Sequence, residues 1–463
     1  MLGQGPTYII DTPGAMMKKI VIIGAGLAGS LLAIYMAKRG YTVKVYESRD
    51  DIRLAGGDKG KSINLALSCR GITSLQKLNL MDKVKHIIVP MRARAIHEEN
   101  GEVKYQRFGR SRDEYINAIQ RTDLNILLLN QALRHKNIEI TFNANVSQID
   151  LQKKMITYQT KADVHYESYD ILLGADGAHS IVRDTLVKDQ HIKATRTFLP
   201  HGYKELCISK DHGKDLAREH LHLWPRGAHL LLGNPNTDDS ITGSLFLANE
   251  GPNSFAELTD EIKINTFFKS AYADAYPVMP NLVEEFLTHP TGKLSTVKCD
   301  NWFYKDSCLI LGDAAHGLVP FFGQGMNSAF EDCRILNELL DSNHDDWRQV
   351  LPAFFAARKP NTDAVAAMSM ENYQEIQNDI RNPDFNFRKR LEMKLMEHYS
   401  EHYVSKHVLV MFTNTPYEKA YQIGQLQATL LDDISKNIKT LDDIDWSDID
   451  KMVKTYDKKL TNL

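Results

Sequence analysis

One glycine-spaced stretch constrains this chain more than any other: Lys18–Gly29, KKIVIIGAGLAG, completed by Glu47 at the end of VKVYES. The apolar run Ile20–Ile23 reads as a buried parallel strand, and Leu27–Arg39 as the helix that follows. Between them Gly24, Gly26 and Gly29 fall at G-x-G-x-x-G spacing. The first allows a tight turn, the second lets backbone approach a pyrophosphate, and the third lets the helix pack on the sheet. The helix N-terminus offers unpaired N–H groups and a positive dipole end to phosphates. A second strand, Tyr41–Tyr46, carries Glu47 to its carboxyl end, where a carboxylate accepts ribose hydroxyls. Strand, helix and acid together predict a dinucleotide site. They leave NAD(P) and FAD both open.

The 463-residue chain is long enough for two packed domains and a tail. With 43% hydrophobic and 25% charged residues and a net charge of −3, it has the balance of an ordinary globular protein without the basic excess that nucleic acid demands. Five scattered cysteines (Cys69, Cys207, Cys299, Cys308, Cys333) lack C-x-x-C spacing and fit a reduced, cytoplasmic setting with neither disulfide framework nor zinc site. Residues 1–17 read as a flexible leader without the pattern of a signal peptide. No run approaches the roughly eighteen apolar residues of a membrane span.

After the second strand, RLAGGDKGKSINLALSCRG reads as a loop, then a strand, with a helix beginning near Arg70; Lys59 and Lys61 read as solvated charges. Val89–His97 alternates as one strand with Arg92 and Arg94 on the same face, a pattern more typical of surface or structural arginines than of a ligand clamp. QRTDLNILLL opens a helix at Arg121, and Ile138–Phe142 with Val146 suggests a return to the sheet. A second strand–loop–helix, YDILLGADGAHSIVR, spans Tyr169–Arg183. From His201 to Phe246, short apolar runs separated by turn residues predict an antiparallel sheet. Its histidines (His201, His220, His222, His229) have no ligand pattern and read as core or surface imidazoles rather than a metal site.

The third motif selects the cofactor. Cys308–Leu311 runs into GDAAH, and VPFFGQGMN leads into a helix through Ser328–Leu340. A carboxylate leaving the strand at Asp313 suits a polyol, and the glycine turn at Gly325 aims N–H groups at a carbonyl that gains negative charge on reduction. An isoalloxazine needs that arrangement and a nicotinamide does not. From Asp363 onward the pattern is helical, with residues 434–463 as a terminal helix and frayed end.

The order of G-x-G-x-x-G, GADGAHSIVR and GDAAH…PFFGQGMN resembles the group A flavoprotein aromatic hydroxylases. The phrases GKSINLALSCRG, VPMRARAIH, YKEL, HLWPR and VPFFGQGMNSAFEDC resemble the branch of that family acting on kynurenine, over about Lys18–Tyr417. The resemblance implies an α/β chain with an α+β substrate region: a Rossmann-like FAD-binding domain (18–195 and 296–345) with a strand insertion near 85–110, an inserted antiparallel-sheet substrate domain (196–295), and C-terminal helices (346–463). Membrane-bound members carry a C-terminal span that this sequence lacks.

It further implies FAD contacts at Ala28, Tyr46, Glu47, Arg49, Ala66, Arg121, Val146, Asp313, Met326 and Asn327, beside Gly24, Gly26, Gly29 and Gly325. Arg94 matches the arginine that holds the substrate carboxylate, which reverses the structural reading for Arg94 but not for Arg92. Asn372 in MENYQEI matches the family's asparagine. Two positions depart, since Phe108 and His407 stand where the family has tyrosines. Tyr403, four residues before His407, is expected on the same helix face and able to restore a donor. The implied reaction consumes NADPH and O₂ and passes oxygen from a flavin C4a-hydroperoxide to the ring of L-kynurenine, giving 3-hydroxykynurenine. A related aminoaryl acid as substrate, and a non-hydroxylating flavin-binding regulator, stand as alternatives.

Overall fold

A computed structural model of the chain describes residues 18–54, 64–161, 163–376, 383–400, 402–436, 438, 440–461 and 463. The leader, Lys59 and Lys61 lie outside the described residues. The apolar runs read from the sequence become the centre of a six-stranded sheet. Its order is Phe303–Tyr304, Cys308–Ile310, Ile171–Gly174, Lys19–Ile23, Thr42–Tyr46 and Ile138–Thr141. All neighbours are parallel except the outermost Phe303–Tyr304. Registers pairing Ile23 with both Gly174 and Tyr46 bring three strand ends, and the loops leaving them, to one edge. Both faces of the sheet are covered, which is why its strands are continuous runs of Ile, Val and Leu rather than alternating ones.

The second unit is a seven-stranded sheet ordered Gly292–Cys299, Ala194–Ile208, Ile241–Ala248, Leu230–Pro235, His220–Pro225, Ala93–His97 and Val103–Arg107. Helices Glu261–Ala271 and Leu282–Thr288 pack on it through Phe267, Phe268, Phe286 and the fully buried Trp224. The chain then returns through Gly325–Ser342 and the 28-residue helix Trp347–Gln374 to helices Pro383–His398, Lys406–Phe412, Tyr417–Ser435 and Trp446–Thr461. Among the described residues no helix is long and apolar enough to cross a membrane.

Two expectations change. Val89–His97 is not one strand: Ile88–Met91 pairs with Ile116–Gln120 in a small sheet, and Ala93–His97 joins the seven-stranded one. Arg92 is the exposed hinge between them, paired with Glu219 at 3.0 Å. The alternation persisted because both strands are half-buried, so periodicity does not register the change of sheet. Val146 likewise belongs to a separate three-stranded sheet with Met155–Gln159 and Val164–Ser168, not to the parallel one.

Candidate active site

The nucleotide side is built from backbone. Gly24 has φ +96°, and its N–H donates to Tyr46 O at 2.8 Å. A methyl at Gly24 would meet Ala175 O at 2.6 Å, and one at Gly29 would meet Gly24 O at 1.9 Å. At Gly26 and Gly325, by contrast, a methyl would meet nothing within 4 Å. These two open positions head helices Leu27–Lys38 and Gly325–Ser342, whose N-termini receive no side-chain cap. Unsatisfied N–H groups beside open space are what an anionic or electron-accepting group requires.

Around this edge stand the acids. Glu47 is buried and accepts from Ala25 N at 2.9 Å and from Arg49 Nε at 2.8 Å. Burial pushes its carboxyl up, but Arg49 and the Ala25 amide outweigh that and hold it below the usual carboxylate range. Asp313 is exposed at the end of Cys308–Ile310, after Gly312 at φ +57°. Ala28 lies against Gly312, where a glycine Cβ would sit 3.6 Å from its own. Arg121 is exposed at the start of Arg121–Ala132, and Val146 is buried.

Other expected contacts have structural partners already. The Tyr46 side chain bonds Glu167 at 3.0 Å and packs on Tyr158, leaving its backbone at the glycine turn. Asn327 is fully buried and staples two segments, donating to Ala66 O at 2.7 Å and Gly323 O at 3.0 Å while accepting from Ser68 N at 3.0 Å. Met326 is partly buried against the main core. The open glycines, the buried carboxylate of Glu47 and the exposed Asp313 together fit an FAD molecule.

The second half of the site draws on distant segments. Arg94, in the seven-stranded sheet, points one guanidinium nitrogen at Gln106 Oε1 (3.3 Å) and another at His407 Nε2 (3.3 Å), and its Cζ lies 4.7 Å from the Phe108 ring. Phe108 and His407 stack with centroids 6.3 Å apart. Burial pushes the Arg94 guanidinium down to about 10, with the Glu375 charge opposing, so it remains cationic at neutral pH. Among the described residues no carboxylate comes within ion-pair distance of it.

Burial and the charges of Arg94, Lys389 and Lys406 push the His407 imidazole well below the usual histidine range. The ring is therefore neutral. Since arginine only donates, Nε2 must accept from Arg94, and the ring proton resides on Nδ1. The turn Pro320–Phe322 joins this group to Asn372: Phe322 meets His407 edge-on at 6.1 Å, and Asn372 Nδ2 donates to Phe321 O at 3.3 Å.

Tyr403 does not join it. Ser405 caps a new helix at Lys406, so Tyr403 precedes that helix and the one-turn relation to His407 fails. Its side chain is fully buried among Leu391, Leu395 and Tyr456, with no hydrogen-bond partner for the hydroxyl among the described residues. The histidines of the large sheet bond locally: His222 to His97 (2.9 Å) and Ala217 O (2.9 Å), His229 to Tyr272 (2.8 Å), His201 to Ala228 O (3.1 Å). His220 packs on Tyr105. Sequence reasoning missed Gln106 and Phe322, which become neighbours of Arg94 and His407 only through sheet pairing and turn packing.

The FAD binding domain family matches residues 17–222. A kynurenine 3-monooxygenase from Legionella pneumophila (strain Corby) is 60% identical over 448 residues, covering 96% of this chain and 100% of that protein. One from Myxococcus xanthus (strain DK1622) is 39% identical over 440 residues, 94% of this chain and 95% of that protein. Among solved structures, the tetrameric form of 2-methyl-3-hydroxypyridine-5-carboxylic acid oxygenase superimposes with a TM-score of 0.64 at 21% identity, covering 80% of this chain and 95% of the other. Pseudomonas aeruginosa PqsL in complex with 2-aminobenzoylacetate gives 0.65 at 19%, covering 78% and 97%. The last two likenesses are of fold.

Proposed function

The chain belongs to the kynurenine 3-monooxygenase family of FAD-dependent aromatic hydroxylases, and from that premise we propose how its residues divide the hydroxylation of L-kynurenine to 3-hydroxykynurenine. The observation that carries the division is Arg94, a largely buried cation with no carboxylate within ion-pair distance among the described residues. A buried guanidinium left so is costly unless a ligand anion completes it. The substrate carboxylate is that anion, taken in the two-nitrogen fork that Gln106 and His407 now share. Phe108 packs the aliphatic stem, His407 donates from Nδ1, and Asn372 orients the amino-acid end from the side of the Pro320–Phe322 turn.

FAD, when bound, supplies oxygen activation with electrons taken from NADPH. Gly26 and Gly325 lend their open helix ends to its phosphates and its carbonyl edge, and Glu47 and Asp313 hold its hydroxyls. Arg94, Phe108 and His407 exclude water where the ring must lie. The ring's own amino group activates it. Five free cysteines, with no disulfide framework, suit a reducing, cytoplasmic location.

FAD-loaded protein given NADPH and L-kynurenine tests this, with 3-hydroxykynurenine and hydrogen peroxide quantified together. The expected result is nearly one hydroxylated product per NADPH. Because Phe108 and His407 replace two hydroxyl-bearing residues, a related aminoaryl acid is the second reading; stimulated NADPH oxidation that yields mostly peroxide would favour it. No stimulation by L-kynurenine would overturn the assignment.

A further inference from the structure

Arg70, in the phrase SCRG, has no part in that division of work, yet it is among the largest fully buried side chains. It lies on helix Cys69–Gln76, directly after the strand carrying Ala66. Its two terminal nitrogens donate to Val410 O and Thr415 O, at the end of the helix bearing His407 and just beyond it. Its guanidinium lies 3.8 Å from the Tyr417 ring centroid, and its Nε lies 3.5 Å from Glu331 Oε1.

Tyr417 continues the connection. Its hydroxyl donates to Gln324 Oε1 at 2.8 Å, and Gln324 Nε2 reaches Met411 Sδ (3.2 Å) and Ser68 Oγ (3.4 Å). Gln324 is the residue before Gly325, at the open helix end assigned to the flavin. On the other side Glu331 bonds Arg358 at 2.6 Å, Arg358 bonds Asp332 at 2.7 Å, and Asp332 accepts from the Gly312 amide at 3.0 Å and contacts His316 Nε2 at 2.6 Å. One buried polar chain thus runs from the His407 helix to both flavin-facing turns.

Such a chain is a poor source of stability, because removing ions from water costs about what pairing them returns, and apolar side chains of equal volume commonly serve as well. What it supplies is geometry. A guanidinium fork gripping two carbonyls and a ring allows little freedom in where helix Lys406–Phe412 sits. We propose that Arg70, Tyr417 and Gln324 are positioning residues that hold the His407 helix at a set distance and orientation from the glycine turn at Gly325, so that the bound ring faces the flavin. The proposal rests on the hydroxylase reading for its catalytic consequence, but the mechanical linkage does not depend on it.

Tyr417→Phe keeps the ring under Arg70 and deletes only the bond to Gln324; Arg70→Lys keeps the charge and loses the fork. The FAD-loaded proteins are compared first by hydrogen exchange without substrate. Loss of one hydrogen bond should raise exchange by roughly 2- to 10-fold at residues 320–327 and 406–412 together. FAD content and the exchange of the six-stranded sheet should stay unchanged. With NADPH and L-kynurenine, both variants should divert more electrons to peroxide, Arg70→Lys more than Tyr417→Phe. Unchanged exchange at both segments in Tyr417→Phe would overturn the linkage, and a rise confined to one segment would overturn it too. Raised exchange with wild-type coupling would overturn its role in presenting the ring. If wild-type protein ignores L-kynurenine, the hydroxylase reading fails, while the exchange comparison still decides the linkage.

Discussion

The glycine turn at Gly24–Gly29 and the cluster around Arg94 are assembled differently. The first is a local object. Strand, turn, helix and acid are contiguous in sequence, and its function resides in what the backbone does when side chains are absent. The second takes Arg94 from a sheet strand, Phe108 from the loop after the next strand, His407 from a C-terminal helix and Phe322 from a turn. No two of the four belong to the same element. A local site fails by clash, whereas a dispersed one fails by loss of a partner, and mutations should separate the two modes.

The largest effect is expected at Gly29. Its Cβ would fall 1.9 Å from Gly24 O, a backbone atom that cannot swing aside. Gly29→Ala should lose FAD and destabilise the protein by about 3 kcal/mol or more, as severe overpacking does. Gly26→Ala should melt like wild type without FAD yet bind FAD weakly, because a methyl there meets only the space intended for the ligand. Denaturant titration of both variants with and without FAD distinguishes them; a Gly29→Ala protein as stable as wild type would contradict the local picture.

Next comes Arg94→Met, which should leave FAD binding untouched and raise the KM for L-kynurenine by roughly 10- to 150-fold, the equivalent of about 1.5–3 kcal/mol for charge-assisted hydrogen bonds. Steady-state kinetics at saturating NADPH checks it. A parallel loss of FAD would mean that the two halves are not separable.

A third contrast is read through pH. Two buried histidines, His222 in the large sheet and His407 in the pocket, are held neutral. Burial pushes His222 down to about 4. Because its folded value lies below the unfolded one, the unfolded chain takes up the proton first. Its stabilising contribution is complete above about pH 6.5 and is lost as pH falls towards 4, on the order of 3 kcal/mol at the acid end. Urea unfolding between pH 7.5 and pH 5 should show the decline, and His222→Phe should flatten it. Equal stability across that range would show that the histidine is not kept neutral in the fold.

Legibility followed the same division. The tight turn at Gly24 and the close packing at Gly29 could be read because turn chemistry depends on neighbours a few residues away. Arg94 could not be read that way: period-two arginines look alike whether they end in solvent, as Arg92 does, or in a buried pocket. Only resemblance to known hydroxylases singled it out. Tyr403 misled because one-turn spacing presumes an unbroken helix, and the cap at Ser405 breaks it. Arg70 gave no sign at all, since its partners Val410, Thr415 and Glu331 lie hundreds of residues away along the chain.

By itself the sequence determined that this chain builds an α/β nucleotide fold with a flavin-facing edge, because glycine turns, uncapped helix ends and apolar strands act through bonds made within one supersecondary unit. Tertiary structure alone decided which arginine has no ion-paired carboxylate among the described residues, that His407 rather than Tyr403 meets it, and that Arg70 ties the C-terminal helices to the turns at Gly312 and Gly325. Those outcomes depend on where whole elements dock, and docking is set by the packing of side chains that no local spacing records.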